Sequence, residues 1–274
     1  MTTSQKQTNQ SHVPTAEELD ERRADYDRLH QACDTSGFHA GFWAPAVGDE
    51  HPVEVEPSSS CTWSLLGEML HRLRLKPDGL LVDLGCGRGG TGLWLARAFS
   101  ARLIGLDISP LGVRISSRRA PDFLPEGRAE FREASFEQTG LPDASADGLV
   151  SMDALPFAFD QDAAFAEVRR ILRPGARAVF TASSKLPSHP DYAPGDETKW
   201  PDLIRRSGLE LEEAVDRPET PLLWQRLYTH WLEHEAELRA AVGDEAAEPM
   251  LDEARNGLPL IPHKTVMLYV MRRA

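Results

Sequence analysis

"LLVDLGCGRGG", residues 80–90, decides how the rest of the chain is read: an apolar run carrying Asp83 opens into a segment with four glycines in six positions. A short apolar run before so glycine-dense an exit reads as a buried strand followed by a loop. Glycines let a backbone approach a ligand with no Cβ in the way. The helix that follows, "GTGLWLARAFS", aims its unpaired amides and positive dipole end at the same place. In an open parallel sheet that place lies outside the carboxyl ends of the strands, where ligands bind. The segment therefore reads as a nucleotide-type ligand loop, since a tight turn alone requires fewer glycines.

Outward from the loop the chain alternates. "ARLIGLDIS" reads as a strand and "PLGVRISSRRA" as a helix; "RAEFREASF" and "ADGLVSM" follow as strands. "DAAFAEVRRILR" is a helix expected to end at Pro174-Gly175, and "ARAVFTASS" the next strand. Short apolar runs alternating with helical patterns mean βαβ units and a parallel sheet covered on both faces. The last third departs from this rhythm: helix "WPDLIRRSG", strand "LELEEAVDR", a long helical segment over 218–262, and a final strand "KTVMLYVMRR". Upstream, residues 1–14 have a polar composition with almost nothing to bury and read as a disordered tail. "TAEEL" offers a capping box, Thr15 with Glu18, for a helix running to about Ala32. The Pro/Ser-rich link "HPVEVEPSSS" then leads to an amphipathic helix, "TWSLLGEMLHRLRL", expected to stop at Pro77.

The bulk numbers exclude several partners. A net charge of −13 repels phosphate backbones and anionic lipid surfaces, so neither nucleic acid nor a membrane is expected. Three cysteines, Cys33, Cys61 and Cys86, with no CxxC pair argue for a reducing compartment and against a disulfide framework or structural zinc. The N-terminus has neither a basic n-region nor an apolar h-region, and no apolar run approaches the ~20 residues of a membrane span. A cytoplasmic protein is expected, with a homodimer left open.

Two nucleotide readings compete for the loop. Gly85, Gly87 and Gly90 satisfy GxGxxG, and Asp107 follows about 20 residues on at the tip of the second strand, as in a dinucleotide site. Asp83 speaks against it, because a carboxylate two residues before the first glycine suits a cationic ligand group better than a pyrophosphate. The C-terminal order of elements also speaks against it.

As a set, "LLVDLGCGRGGTGLWLA", "RLIGLDISP" and "GLPDASADGLVSMDALPFA…FAEVRRILRPGARAVFTA" resemble the ordered motifs of class I S-adenosylmethionine-dependent methyltransferases, most closely those acting on small molecules in bacterial secondary metabolism. The resemblance covers roughly residues 20–272. It implies an α/β, Rossmann-like, doubly wound and mostly parallel seven-stranded sheet with an antiparallel last strand and a helical lid. The implied divisions within a single domain over 15–274 are a lid (15–78), a cofactor-binding core (79–217), an acceptor cap (218–262) and the last strand (263–274). The implied cofactor is S-adenosylmethionine and the partner a small-molecule acceptor, as in antibiotic biosynthesis.

By the same resemblance, the backbone of Gly85, Gly87 and Gly89 takes the methionine portion, with Asp83 supporting the loop and the ammonium. Asp107 takes the ribose hydroxyls and Ile108 packs on adenine. Asp153 and Ala154 line the methionine end. Where the family usually places an aspartate for the adenine amine, this chain has Ser135, followed by Phe136. Tyr26-Asp27 and the "HAGFW" string over 39–43 resemble the closing lid, with Tyr26 near the methionine carboxylate and His39 beside the methyl group. His39 is the candidate base and Asp153 the fallback.

Trp43, Trp224, Tyr228 and Trp231 are expected to line an apolar acceptor pocket, although Trp224, Tyr228 and Trp231 also fit the buried face of a helix. His230 and His234 spell HxxEH, but too little chain follows for a third zinc ligand, so no metal is expected. The leading expectation is methylation of a small natural product, at oxygen before nitrogen or carbon. A non-methylating reaction on the same fold, such as cyclisation, stays open because "DALPF" lacks the histidine often found after the fourth strand. A nicotinamide-dependent oxidoreductase is the third option.

Overall fold

A computed structural model describes residues 14–35 and 37–274. Most of the expected tail, residues 1–13, lies outside the described residues. Thr15 caps the first helix, α1 (Ala16–Cys33), and Glu18 closes the capping box. A π-helical turn, His39–Trp43, runs directly into a short helix, α2 (Ala44–Val47), so the "HAGFW" string is helical. The Pro/Ser-rich link is irregular and delivers the chain to α3 (Trp63–Leu73), capped by Thr62. That helix ends earlier than expected: Arg74 takes a left-handed φ of +50°, and the chain has already turned before Pro77.

The core follows as β1 (Leu80–Leu84), α4 (Gly90–Phe99), β2 (Arg102–Asp107), α5 (Pro110–Arg119), β3 (Ala129–Glu133), β4 (Ala146–Ser151), α6 (Gln161–Ile171), β5 (Leu172–Lys185), α7 (Lys199–Arg206) and β6 (Glu210–Asp216). Three helices, α8 (Glu219–Glu233), α9 (Glu235–Val242) and α10 (Asp244–Gly257), precede β7 (Lys264–Arg272). The sheet has seven strands in the order β3-β2-β1-β4-β5-β7-β6. Its first five are parallel neighbours, and β7 runs antiparallel between β5 and β6. This is the Rossmann-like arrangement anticipated above.

One boundary is corrected. α6 stops at Ile171, and Pro174-Gly175 lies inside β5 rather than after the helix. A residue before proline is pushed to extended backbone, which keeps Arg173 out of the helix. Leu172 is fully buried and pairs with Ala146, so the strand captures the helix end; the register then shifts between Ala146 and Gly148.

Alternation along the central strands explains the two apolar layers. On β7, Leu268 and Val270 enter one layer with Leu65, Met69 and Leu93, while Tyr269 and Met271 enter the other with Phe165, Phe180 and Trp200. A period of two on a strand buried on both faces produces this division. The edges differ: β3 carries Glu130 and Arg132 as an ion pair, and β6 carries Glu210, Glu212 and Glu213 paired to Arg272, Arg177 and Arg72. Charge on both edges discourages strand addition. A third apolar cluster joins α1, the π turn and α2 to α8, α9 and α10, and includes Phe38, Trp43, Leu227, Trp231 and Leu251.

From β1 the chain steps outward to β2 and β3, then returns to β4 on the other side of β1. That reversal leaves a crevice at the carboxyl ends of β1 and β4, the place where doubly wound sheets bind ligands.

Candidate active site

The crevice is floored by the glycine loop between β1 and α4. The Gly85 and Cys86 amides donate to Leu106 O at 2.8 and 3.0 Å, which ties the loop to the end of β2. Gly85 has φ +80°, and a Cβ there would stand 2.4 Å from that of Ala154, so only glycine lets the tips of β1 and β4 approach. α4 approaches β1 for a similar reason: a Cβ on Gly92 would meet Asp83 Oδ2 at 2.4 Å.

Two carboxylates face this floor. Asp107 Oδ2 accepts from the Gly87 amide at 2.7 Å and Oδ1 from the Ser109 amide at 2.8 Å, so the carboxylate holds the loop and the start of α5 in register. Asp83 is 2% exposed, and its Oδ2 has no hydrogen-bond partner. Burial, and then the charge of Asp107, push its carboxyl up to about 7. A buried carboxylate oxygen without a donor costs free energy until a cation or donor meets it.

All of the residues expected at the cofactor line one cleft: Tyr26, Asp83, Gly85, Gly87, Gly89, Asp107, Ile108, Ser135, Phe136, Asp153 and Ala154. α1 closes one side. Asp27 accepts from the Ser109 hydroxyl and from the Leu111 amide, at 3.1 Å in the second case, and so latches α1 to the N-terminus of α5. Burial pushes the Tyr26 phenol up to about 12, which keeps it a hydrogen-bond donor. At the far end Asp153 has φ +50°; its Oδ1 accepts from the Thr181 hydroxyl and its Oδ2 from the Ser60 amide at 2.7 Å.

Five expectations are corrected by placement. His39 does not line the cleft: it is buried, and its Nε2 accepts from Arg88 Nη1 at 2.6 Å. Burial and the Arg88 charge drive its imidazole down to about 2, so its lone pair is neither free nor basic. Trp43, Trp224, Tyr228 and Trp231 are not cleft residues either. They stack edge-on and tilted, with centroids 5.5–6.0 Å apart, inside the third apolar cluster. Trp231 Nε1 donates to Phe42 O at 3.2 Å, and the Tyr228 hydroxyl to Glu253 at 2.9 Å. Aromatic surface this large is buried first against itself. His230 and His234 are also engaged, His230 on the carbonyl of Gly41 in the π turn and His234 on that of His230 one helical turn back.

Sequence reading missed Arg88, Arg22 and His30. Arg88 lines the cleft, pairs with Glu56 at 3.1 Å on the same lining, and reaches beyond it to Asp34 at 3.5 Å and to His39. An arginine inside the glycine loop is visible in the sequence; its partners, 32–54 residues away, are not. Arg22 donates to Phe157 O at 2.7 Å and lies 3.7 Å from the centre of the Phe159 ring. His30 follows Tyr26 by four positions, the spacing that places two side chains on one helix face.

Residues 82–180 match the family described as a methyltransferase domain. The core of this chain is a class I methyltransferase domain. That match sets aside the dinucleotide reading of Gly85, Gly87 and Gly90. Among curated relatives, the domain is similar to the O-methyltransferase cnsE of Penicillium expansum, 28% identical over 181 residues, which are 63% of this chain and 62% of that one. It is also similar to the dimethylglycine N-methyltransferase of Parasynechococcus marenigrum, 39% identical over 107 residues, 39% of this chain and 38% of that one. The chain thus spans less than two thirds of the length of either relative. The crystal structure of the [4+2]-cyclase SpnF superposes with a TM-score of 0.73 at 18% identity, covering 96% of this chain and 99% of that one.

Methyltransferase domains of this class take S-adenosylmethionine, and the residues present fit it. The unpartnered Asp83 oxygen suits an ammonium, Asp107 at the strand tip suits a ribose diol, and Ile108 and Phe136 offer apolar surface for a purine.

Proposed function

We propose that this chain binds S-adenosylmethionine in the cleft at the ends of β1, β2 and β4 and methylates a small, mostly apolar natural product, at oxygen in preference to nitrogen. The observation that carries the cofactor assignment is the buried Asp83 oxygen with no donor, set beside Asp107 over a glycine floor. When bound, S-adenosylmethionine supplies a methyl group already activated on a sulfonium. The protein's own task is then alignment and exclusion of water. Asp83 holds the ammonium, Asp107 the ribose, and Ser135 and Phe136 the adenine edge. Tyr26 closes over the methionine end from α1, and the Asp27 latch keeps that helix down.

With His39 held by Arg88, Asp153 takes over as the candidate base for an oxygen acceptor's proton. Its two oxygens are already engaged by Thr181 and Ser60, so it serves through a remaining lone pair or through water. With His39 held by Arg88 and both Asp153 oxygens engaged, a second reading is a non-methylating rearrangement such as cyclisation on the same fold. The similarity to the cyclase SpnF adds support to it.

Titration with S-adenosylhomocysteine, followed by incubation with isotopically labelled S-adenosylmethionine and a panel of phenols, polyketides and amines, tests both. Label transferred to a hydroxylated acceptor supports the proposal. Tight cofactor binding with no label transferred, and a product isomeric with its substrate, would replace it by the second reading.

A further inference from the structure

His30 lines the cleft and has no task in the reading above. Its ring is wedged between the glycine loop and the first turn of α5. A Cβ built on Gly87 would stand 3.1 Å from its Cε1, and one on Gly112 3.0 Å from its Cδ2. On its own helix it stacks with Tyr26, with centroids 6.3 Å apart. It is 6% exposed, yet neither Nδ1 nor Nε2 has a hydrogen-bond partner. Burial holds the imidazole below its usual pKa, so the ring is neutral and carries one donor and one acceptor. Packing alone would be served as well by an apolar ring, without two unmade hydrogen bonds.

The charges of Asp107, Arg88 and Asp27 act on the imidazole, and of these Asp107 accepts from the amide of Gly87, the residue the ring packs against. Asp107 is an acceptor only. A hydroxyl that donates to it still offers its own oxygen lone pairs, and the adjacent backbone amides of Gly87 and Ser109 are already committed to the carboxylate. A neutral N–H is what that site lacks.

We propose that His30 reads the ribose of the cofactor, its imidazole N–H donating to a hydroxyl oxygen whose own proton goes to Asp107. The pair forms a donor–acceptor clamp for a vicinal diol, half of it carried on the lid helix, so that closing α1 completes the nucleoside site. The inference rests on the proposed cofactor.

The test uses calorimetric titration of the full chain with S-adenosylhomocysteine and with its 2′-deoxy and 3′-deoxy analogues. His30→Phe keeps a ring against Tyr26 and Gly87 but has no nitrogen. It should weaken S-adenosylhomocysteine by about tenfold while changing the affinity for one deoxy analogue by less than about twofold. Unimpaired binding of S-adenosylhomocysteine by folded His30→Phe, or an equal loss for all three ligands, overturns the inference and leaves the cofactor assignment standing. No binding by the wild-type protein overturns both. An independent readout needs no variant. In histidine-labelled wild-type protein, saturating S-adenosylhomocysteine should shift the His30 ring nitrogens and slow exchange of its N–H, and an unchanged signal in the bound state overturns the inference.

Discussion

The floor of the cleft and the lid-and-cap beside it use polar and aromatic side chains in opposite ways. On the floor, Asp83 and His30 line the cleft and are buried with polar atoms left unpartnered. In the lid and cap, Trp43, Trp224, Tyr228 and Trp231 pack on one another; Trp231 and Tyr228 give their polar atoms to Phe42 O and Glu253, and of the four only Trp43, among the described residues, keeps a buried N–H without a partner. The first region bears the cost of unmade hydrogen bonds, which a ligand can recover. The second is a small hydrophobic core of its own. Arg88 joins them, belonging to the glycine loop by sequence and to Asp34, His39 and Glu56 by contact.

If the two regions divide affinity from stability in this way, substitutions should separate cleanly. Trp43→Ala, in the lid core and 3% exposed, should cost about 3–5 kcal/mol of stability. Thermal melting should show that loss, while the fraction that remains folded binds S-adenosylhomocysteine nearly as before. A mutant that melts normally but loses the ligand would place Trp43 in the cleft after all. Asp107→Ala should act first on affinity, with a smaller loss of stability because the Gly87 and Ser109 amides lose their acceptor. Losing a charge-assisted hydrogen bond worth about 1.5–3 kcal/mol should weaken cofactor binding tenfold or more in calorimetry, with the fold intact by circular dichroism.

The protonation of Asp83 sharpens the same division. Its carboxyl lies near 7 in the free protein, and the cofactor ammonium prefers the ionised form. As pH falls below that value the free protein takes up a proton that binding must expel, so affinity should decline. In Asp83→Asn the decline should vanish, leaving a uniformly weaker complex; a pH dependence identical to the wild type's would remove Asp83 from the ammonium site. The smallest effect is expected at His39. Because Arg88 already uses its lone pair, His39→Ala should change kcat by less than about tenfold, against the ~10²–10⁴ expected of a general base. A loss in the larger range, with cofactor affinity unchanged, would return His39 to the chemistry.

The cofactor floor was legible because its signals are local. Asp83, the glycines and Asp107 sit on consecutive elements whose geometry is set by strand, turn and helix, and all of them line the cleft. Helix ends were less legible, and the end of α6 shows why. Pro174 marks a region where helix cannot continue, but the residue that leaves first, Leu172, is chosen by pairing with Ala146 across the sheet. His39 and the four aromatic residues were misplaced for a related reason. Their residue types allow a catalytic or a packing role equally, and the choice depends on partners far away in the chain, such as Arg88, 49 residues from His39.

By itself, the sequence determined the order of elements, the glycine floor and the two carboxylates over it, since hydrophobic periodicity and backbone chemistry act over a few residues. Tertiary structure decided which histidine lines the cleft. His30 and His39 are both buried beside Arg88, but only His30, among the described residues, turns its ring over Gly87, because the Asp27 latch fixes α1 against α5 at that height. That distinction depends on how one helix docks on another, and no local pattern in the chain encodes it.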